Sequence, residues 1–243
     1  MKRLFLVLLM SVLLVSFGQT AWSEEASQAQ ESPVIISAGL TSWYLSFSDN
    51  SVLKQSDSKS SSLLVGPRLN FSYKGFFAGA SYITSIIPLV WGSKFSSTYD
   101  INDYKSYLNL IAGYMIIPNV GVFGGYLYNS SSLSYANFNV KRGENSLKGP
   151  GLGITTNLPI GEALYLYLNG SWMFATFQWE GASAFTRNVL ALDGGLIYKF
   201  NENATASLGW KHQINFLYNL AGSALGTETY SGPAVSVTWS FTS

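Results

Sequence analysis

Few side chains in this sequence could carry out a reaction. Of its 243 residues one is histidine and none is cysteine, which removes thiolate metal sites, cysteine nucleophiles and disulfides. The histidine, His212, sits in GWKHQ. A general base needs an orienting partner, yet the residue two before it is Trp210 and the residue two after it is Ile214. The acids nearest a strand end, Asp100 and Asp103 in YDINDYK, do not form a close carboxylate pair. GPGLG, from Gly149 to Gly153, lacks the Lys-Ser/Thr and the following helix of a phosphate loop. Its small residues read instead as a crowded wall. No catalytic residue, metal or cofactor is expected.

The elements that would position any site are strands. In LLVGPRLNFSYKG, Leu63, Val65, Pro67, Leu69, Phe71 and Tyr73 occupy one parity, and Gly66, Arg68, Asn70, Ser72 and Lys74 the other. Successive side chains of a strand point to opposite faces, so this stretch has one apolar face and one small, polar or cationic face. The same pattern recurs in YLNLIAGY, GLGITTNL, ATASLGW and PAVSVTWSF. A soluble sandwich would turn the apolar face to a core, and a membrane barrel would turn it to lipid.

Composition and the N-terminus decide between those solvents. Lys2 and Arg3 precede an apolar run from Leu4 to Phe17, and small residues at Ala21 and Ser23 follow. That arrangement predicts a secretory signal peptide over residues 1–23, cut after Ser23. Losing Lys2 and Arg3 leaves 12 cations (14 − 2) against 13 acids, a balance that points to no nucleic-acid partner. Charged residues make up 11% and aromatics 15% of the chain, whereas soluble domains carry about 25% charged residues.

The connections between apolar segments alternate. Tight turns fall at SYKGFF, IIPNVG, NLPIGE and KFNENA, and longer polar connections lie between them, among them SDNSVLKQSDSKSS and YNSSSLSYANFNVKRGENS. Outer-membrane barrels have short periplasmic turns and longer external loops. The predicted strands are 34–47, 61–73, 76–85, 103–116, 120–129, 147–158, 162–174, 187–200, 203–213 and 229–241. The fold class is therefore all-β, a closed antiparallel up-and-down transmembrane barrel of about ten strands over residues 34–243. Residues 24–33 form a periplasmic N-terminal segment, and eight strands with one hairpin outside the barrel is the alternative. Strands can cross hydrocarbon only when closure satisfies their backbone groups.

Outward aromatics near strand ends, Tyr73, Tyr104, Tyr114, Tyr128, Tyr198, Trp210 and Trp239, are expected to form girdles at the two interfaces. Lumen-facing residues are expected to include Arg68, Asn70, Lys105, Tyr107, Asn109, Phe123, Asp193, Lys199 and Lys211. Their cations require either pairing, with Asp193 against Arg68 or Lys105, or a wet lumen with an anion preference. Ten strands lie near the filled end of the size range, which favours a sealed or nearly sealed barrel.

The strands GPRLNFSY, NLIAGYM, VFGGYLY, GPGLGITTN and VSVTWSF resemble those of the small outer-membrane β-barrel proteins of Gram-negative bacteria. The resemblance implies residence in the outer membrane, contact with its lipid and lipopolysaccharide, and recognition of Trp239 and Phe241 by the barrel assembly machinery. It also implies long loops free to meet an extracellular partner. That group serves as structural or surface-interaction proteins, narrow passive pores or membrane-embedded hydrolases, so architecture does not select the function. The non-enzymatic roles are the expectation. The alternative is a surface hydrolase using His212, either similar to the omptin proteases, whose Asp-x-His element has Trp210 in the acid's place here, or a lipid A-modifying enzyme, whose His-x-Ser has Ile214 in place of the serine.

Overall fold

The computed structural model describes residues 33–50, 60–92, 100–135, 141–180, 184–218 and 224–242. The expected signal peptide, with Ala21 and Ser23, and residues 24–32 of the N-terminal segment lie outside them. Eleven strands form one antiparallel sheet: β1 (Ile35–Asp49), β2 (Ser60–Tyr73), β3 (Phe76–Ile87), β4 (Leu89–Gly92), β5 (Asp100–Ile117), β6 (Val120–Tyr135), β7 (Lys141–Pro159), β8 (Leu164–Trp179), β9 (Phe185–Lys199), β10 (Ala204–Tyr218) and β11 (Ala224–Thr242). β3 and β4 both pair with β5, the other strands pair with their neighbours in sequence, and β1 pairs with β11, which closes a ten-stranded barrel.

The short β4 continues the line of β3. Pro88 has no N–H to give the ladder, and the pairing to β5 resumes beyond it with an offset. Thr84 faces Ser106 and Leu89 faces Asp103, so five steps on one strand oppose three on the other. Ser85 Oγ fills the gap by accepting from the Lys105 amide at 3.0 Å.

The tight turns sit together at one end of the barrel. Between Tyr73 and Phe76, which pair directly, Lys74 (φ 47°) and Gly75 (φ 81°) are both left-handed, as a two-residue hairpin with the twist of its strands requires. At the β1–β11 seam Gly39 lies so near the Val237 carbonyl that a Cβ would strike backbone, so closure depends on glycine there.

All ten expected strands are present, but most run further at the long-connection end. A membrane strand needs about 9–11 residues, whereas β5 has 18 and β7 and β11 have 19 each. At about 3.3 Å per residue and a tilt of about 40°, such a strand rises about 45 Å, and the apolar band of a membrane barrel is only about 25 Å tall. The excess projects beyond the lipid.

That excess inverts the side-chain pattern. Near the short turns the outward face is apolar, with Leu40, Leu69, Leu152, Leu208 and Val237 exposed. Towards the long connections it becomes polar, with Ser46, Ser132, Ser146 and Gln178, and the inward face gains large apolar side chains set among buried polar ones such as Ser62, Asn129, Gln213 and Asn215. Leu45, Phe47, Leu64, Leu147, Phe177 and Val189 are buried there in one contiguous core. The apolar parity of LLVGPRLNFSYKG, GLGITTNL, ATASLGW and PAVSVTWSF therefore faces outward through the short-turn half of the barrel, and beyond it the strands continue with a more polar outward face.

Candidate functional site: the barrel interior

The interior has two layers because the inward parity changes character along the strands. In the long-connection half, apolar side chains from around the ring meet across the axis. Trp43 packs edge-on against Tyr107, with ring centroids 5.7 Å apart, and Phe47 tilts against Tyr230 at 5.0 Å. Among the described residues, the ion pairs Lys105–Asp103 and Arg187–Glu228 are set into this layer. Lys105 Nζ donates to Asp103 at 3.0 Å and to Ser131 Oγ at 2.9 Å. Arg187 Nη1 donates to Glu228 at 3.2 Å, and its guanidinium lies over the Phe177 ring at 3.8 Å. Tyr230 links the pairs, since its hydroxyl donates to Glu228 at 3.3 Å while its ring face lies 5.1 Å from Lys105 Nζ. A buried charge is tolerable only when paired and hydrogen-bonded; each charge here has a partner of opposite sign, supplied by residues of β5, β6, β8, β9 and β11, although Asp103 Oδ1 accepts no hydrogen bond.

The short-turn half contains a cavity of about 600 Å³ with a mixed lining, in which Arg68, Asn70, Asn109, Asp193 and Lys211 stand among apolar side chains. The hydrogen bonds of its wall are local. Arg68 Nε donates to Asn70 at 3.2 Å, Thr155 to Asn169 at 2.6 Å, Ser236 to Thr41 at 2.8 Å, and the Tyr167 hydroxyl to Asp193 at 3.1 Å. Phe123, Leu127 and Met173 add apolar wall, and Trp43 and Tyr107 border both the cavity and the core.

The expected lumen residues Arg68, Asn70, Lys105, Tyr107, Asn109, Phe123, Asp193, Lys199 and Lys211 all lie on the inward parity, but their pairing differs from the expectation. Asp193 forms an ion pair with neither Arg68 nor Lys105. Lys105 belongs to the other layer and pairs with Asp103, which shares its face of β5. Asp193 stands beside Lys211 across the β9–β10 ladder. Interior residues not anticipated were Glu228, Arg187 and Asn215, which lie in or next to segments read as connections.

On the outer surface, Tyr73, Tyr104, Tyr114, Tyr128, Tyr198, Trp210 and Trp239 are all exposed, as is Phe241. Tyr73, Tyr114, Tyr198, Trp239 and Phe241 lie towards the short turns, and Tyr104, Tyr128 and Trp210 stand on the far side of the apolar belt. His212 points outward beside Trp210. It is not at a strand end, because β10 continues to Tyr218. Its Nδ1 lies 3.1 Å from Ser231 Oγ, which also accepts from Trp210 Nε1 at 2.7 Å. Among the described residues no carboxylate hydrogen-bonds to His212, and no group of His, Asp and Glu could hold a metal ion.

No protein-family model and no curated protein sequence matches the chain. Solved structures do. The outer membrane protease OmpT from Escherichia coli is similar with a TM-score of 0.55 and 11% identity, over 90% of this chain and 99% of that one. The translocator domain of the autotransporter NalP from Neisseria meningitidis gives 0.47 and 11%, over 88% and 90%. A FadL homologue from Pseudomonas aeruginosa gives 0.37 and 9%, over 86% and 90%. The similarity to the first concerns the fold alone, because fold does not carry activity. By fold, then, this chain is a closed ten-stranded antiparallel barrel of the kind found in bacterial outer-membrane proteins.

Proposed function

We propose that the chain is a non-enzymatic outer-membrane barrel, closed to through-passage, with a structural or surface-interaction role. The observation that carries this reading is the apolar layer across the long-connection half, in which Leu45, Leu64, Leu89 and Val189 have no exposed surface. A packed layer of that kind leaves no continuous water path for a solute. The short turns face the periplasm and the Ser-rich strand ends stand outside the cell. The outward apolar belt contacts lipid and lipopolysaccharide, Trp239 and Phe241 serve the assembly machinery, and an extracellular partner meets the outer strand ends and the long connections, whose central residues lie outside the described ones. Planar-bilayer recording of refolded protein tests the closure. A silent bilayer containing verified folded protein is the expected result, and a reproducible conductance contradicts it.

The contact between His212 and Ser231 gives the hydrolase alternative its one geometric support. A serine nucleophile needs a base held by a third group and donors for the oxyanion. Here the serine oxygen already accepts from Trp210, and the surrounding backbone amides belong to the ladder. Wild type and His212→Ala are therefore expected to show the same background on peptide and lipid A substrates. Turnover lost only in the variant would favour the hydrolase.

A further inference from the structure

We infer that the cavity in the short-turn half is a blind binding pocket for a small organic anion, a carboxylate or phosphate carried on an apolar body. Its volume of about 600 Å³ falls within the roughly 300–1,000 Å³ of small-molecule sites. It is closed at one end by Trp43, Tyr107 and the apolar core. At the other end it is bordered by Gly75, Phe77, Met115 and Asn157 beside the tight turns, which makes that end the route of entry.

The charge of the lining selects an anion. Among the described residues of the lining, Arg68 and Lys211 supply two cations against the single carboxylate of Asp193, and that carboxylate already accepts from Tyr167. Among the described residues Lys211 forms neither a hydrogen bond nor an ion pair, although Asp193 is its cross-strand neighbour and Arg68 also acts on it electrostatically. Arg68 is held only by Asn70 and is exposed to the cavity, so its remaining donors are free for a ligand. At the blind end, the Nε1–H of Trp43, a residue only 4% exposed, has no acceptor. A buried donor without a partner is costly, and an anion satisfies several such donors together. Phe123, Leu127 and Met173 offer an apolar wall to the body of the ligand.

The inference rests on the closed outer half. Conductance tests that closure and ligand binding tests the pocket, so either can fail alone. The experiment is calorimetric titration of the full refolded barrel in lipid nanodiscs with benzoate and with phenyl phosphate, using benzyl alcohol and benzylamine as neutral and cationic counterparts. At least one anion should bind saturably at one site, about tenfold or more tighter than either counterpart. Lys211→Gln and Arg68→Gln, each verified as folded, should each weaken that anion about tenfold. Absence of saturable anion binding, equal binding of the benzyl alcohol, or unchanged affinity in both variants overturns the assignment.

Discussion

Lys105→Met is expected to lower the unfolding free energy of the barrel by about 3–5 kcal/mol, the usual loss when one partner of a buried ion pair is removed. Lys105 and Asp103 side chains are only 5% and 2% exposed, and Asp103 Oδ1 has no partner even in the intact pair. Removing the ammonium leaves a carboxylate enclosed by apolar side chains with nothing to offset its desolvation. The double variant Asp103→Leu/Lys105→Met removes both charges. It is expected to fall within about 1 kcal/mol of wild type or to exceed it, because well-packed apolar pairs replace buried ion pairs at little cost. Urea unfolding in lipid vesicles, followed by tryptophan fluorescence, reads both. A single variant as stable as wild type would mean that water reaches this layer.

Leu45→Ala should cost about 2–5 kcal/mol, whereas Leu40→Ala, on the opposite face of the same strand, should cost no more than about 1 kcal/mol. Leu45 is 0% exposed inside the barrel, and truncating it leaves a cavity that the surrounding core side chains can only partly fill. Leu40 is 62% exposed on the outward belt, and mobile lipid chains take up the space that its side chain vacates. The same unfolding measurement compares the two. Equal costs, or a larger cost at Leu40, would show that the long-connection half has no dry core.

Much of the barrel was legible from parity. LLVGPRLNFSYKG and PAVSVTWSF carry the alternation of the lipid-spanning half, and the turn residues marked every tight connection. What escaped was the continuation of strands beyond the lipid. NSSSLSY in β6 looks like a loop because its outward residues are serines, yet a ladder requires only backbone pairing, and outward serine suits water. The available signal was on the other parity, where Leu133 and Leu147 continue the inward face. The Lys105–Asp103 pair was also readable, because residues two apart share a strand face. Asp193, eighty-eight residues further along the sequence, is the more conspicuous partner because it lies inside a predicted strand, whereas Asp103 stands at the first residue of one. The Arg187–Glu228 pair could not be read in this way, since it depends on a register between β9, β10 and β11 that extends above the apolar belt.

The most direct test of the two-layer barrel uses the absence of cysteine from the chain, which lets single-cysteine variants report one position each. In nanodiscs, where both ends of the barrel meet water, a membrane-impermeant thiol reagent is applied to four variants. Asn70→Cys faces the cavity and Ser46→Cys faces outward beyond the belt, so both should label readily. Ala175→Cys lies in the core, where Ala175 is 1% exposed, and Leu40→Cys lies in the belt, so both should resist until the protein is unfolded. Labelling of Ala175→Cys as fast as Asn70→Cys would reveal a continuous wet lumen, and labelling of Leu40→Cys as fast as Ser46→Cys would remove the lipid-facing belt; either result contradicts the account.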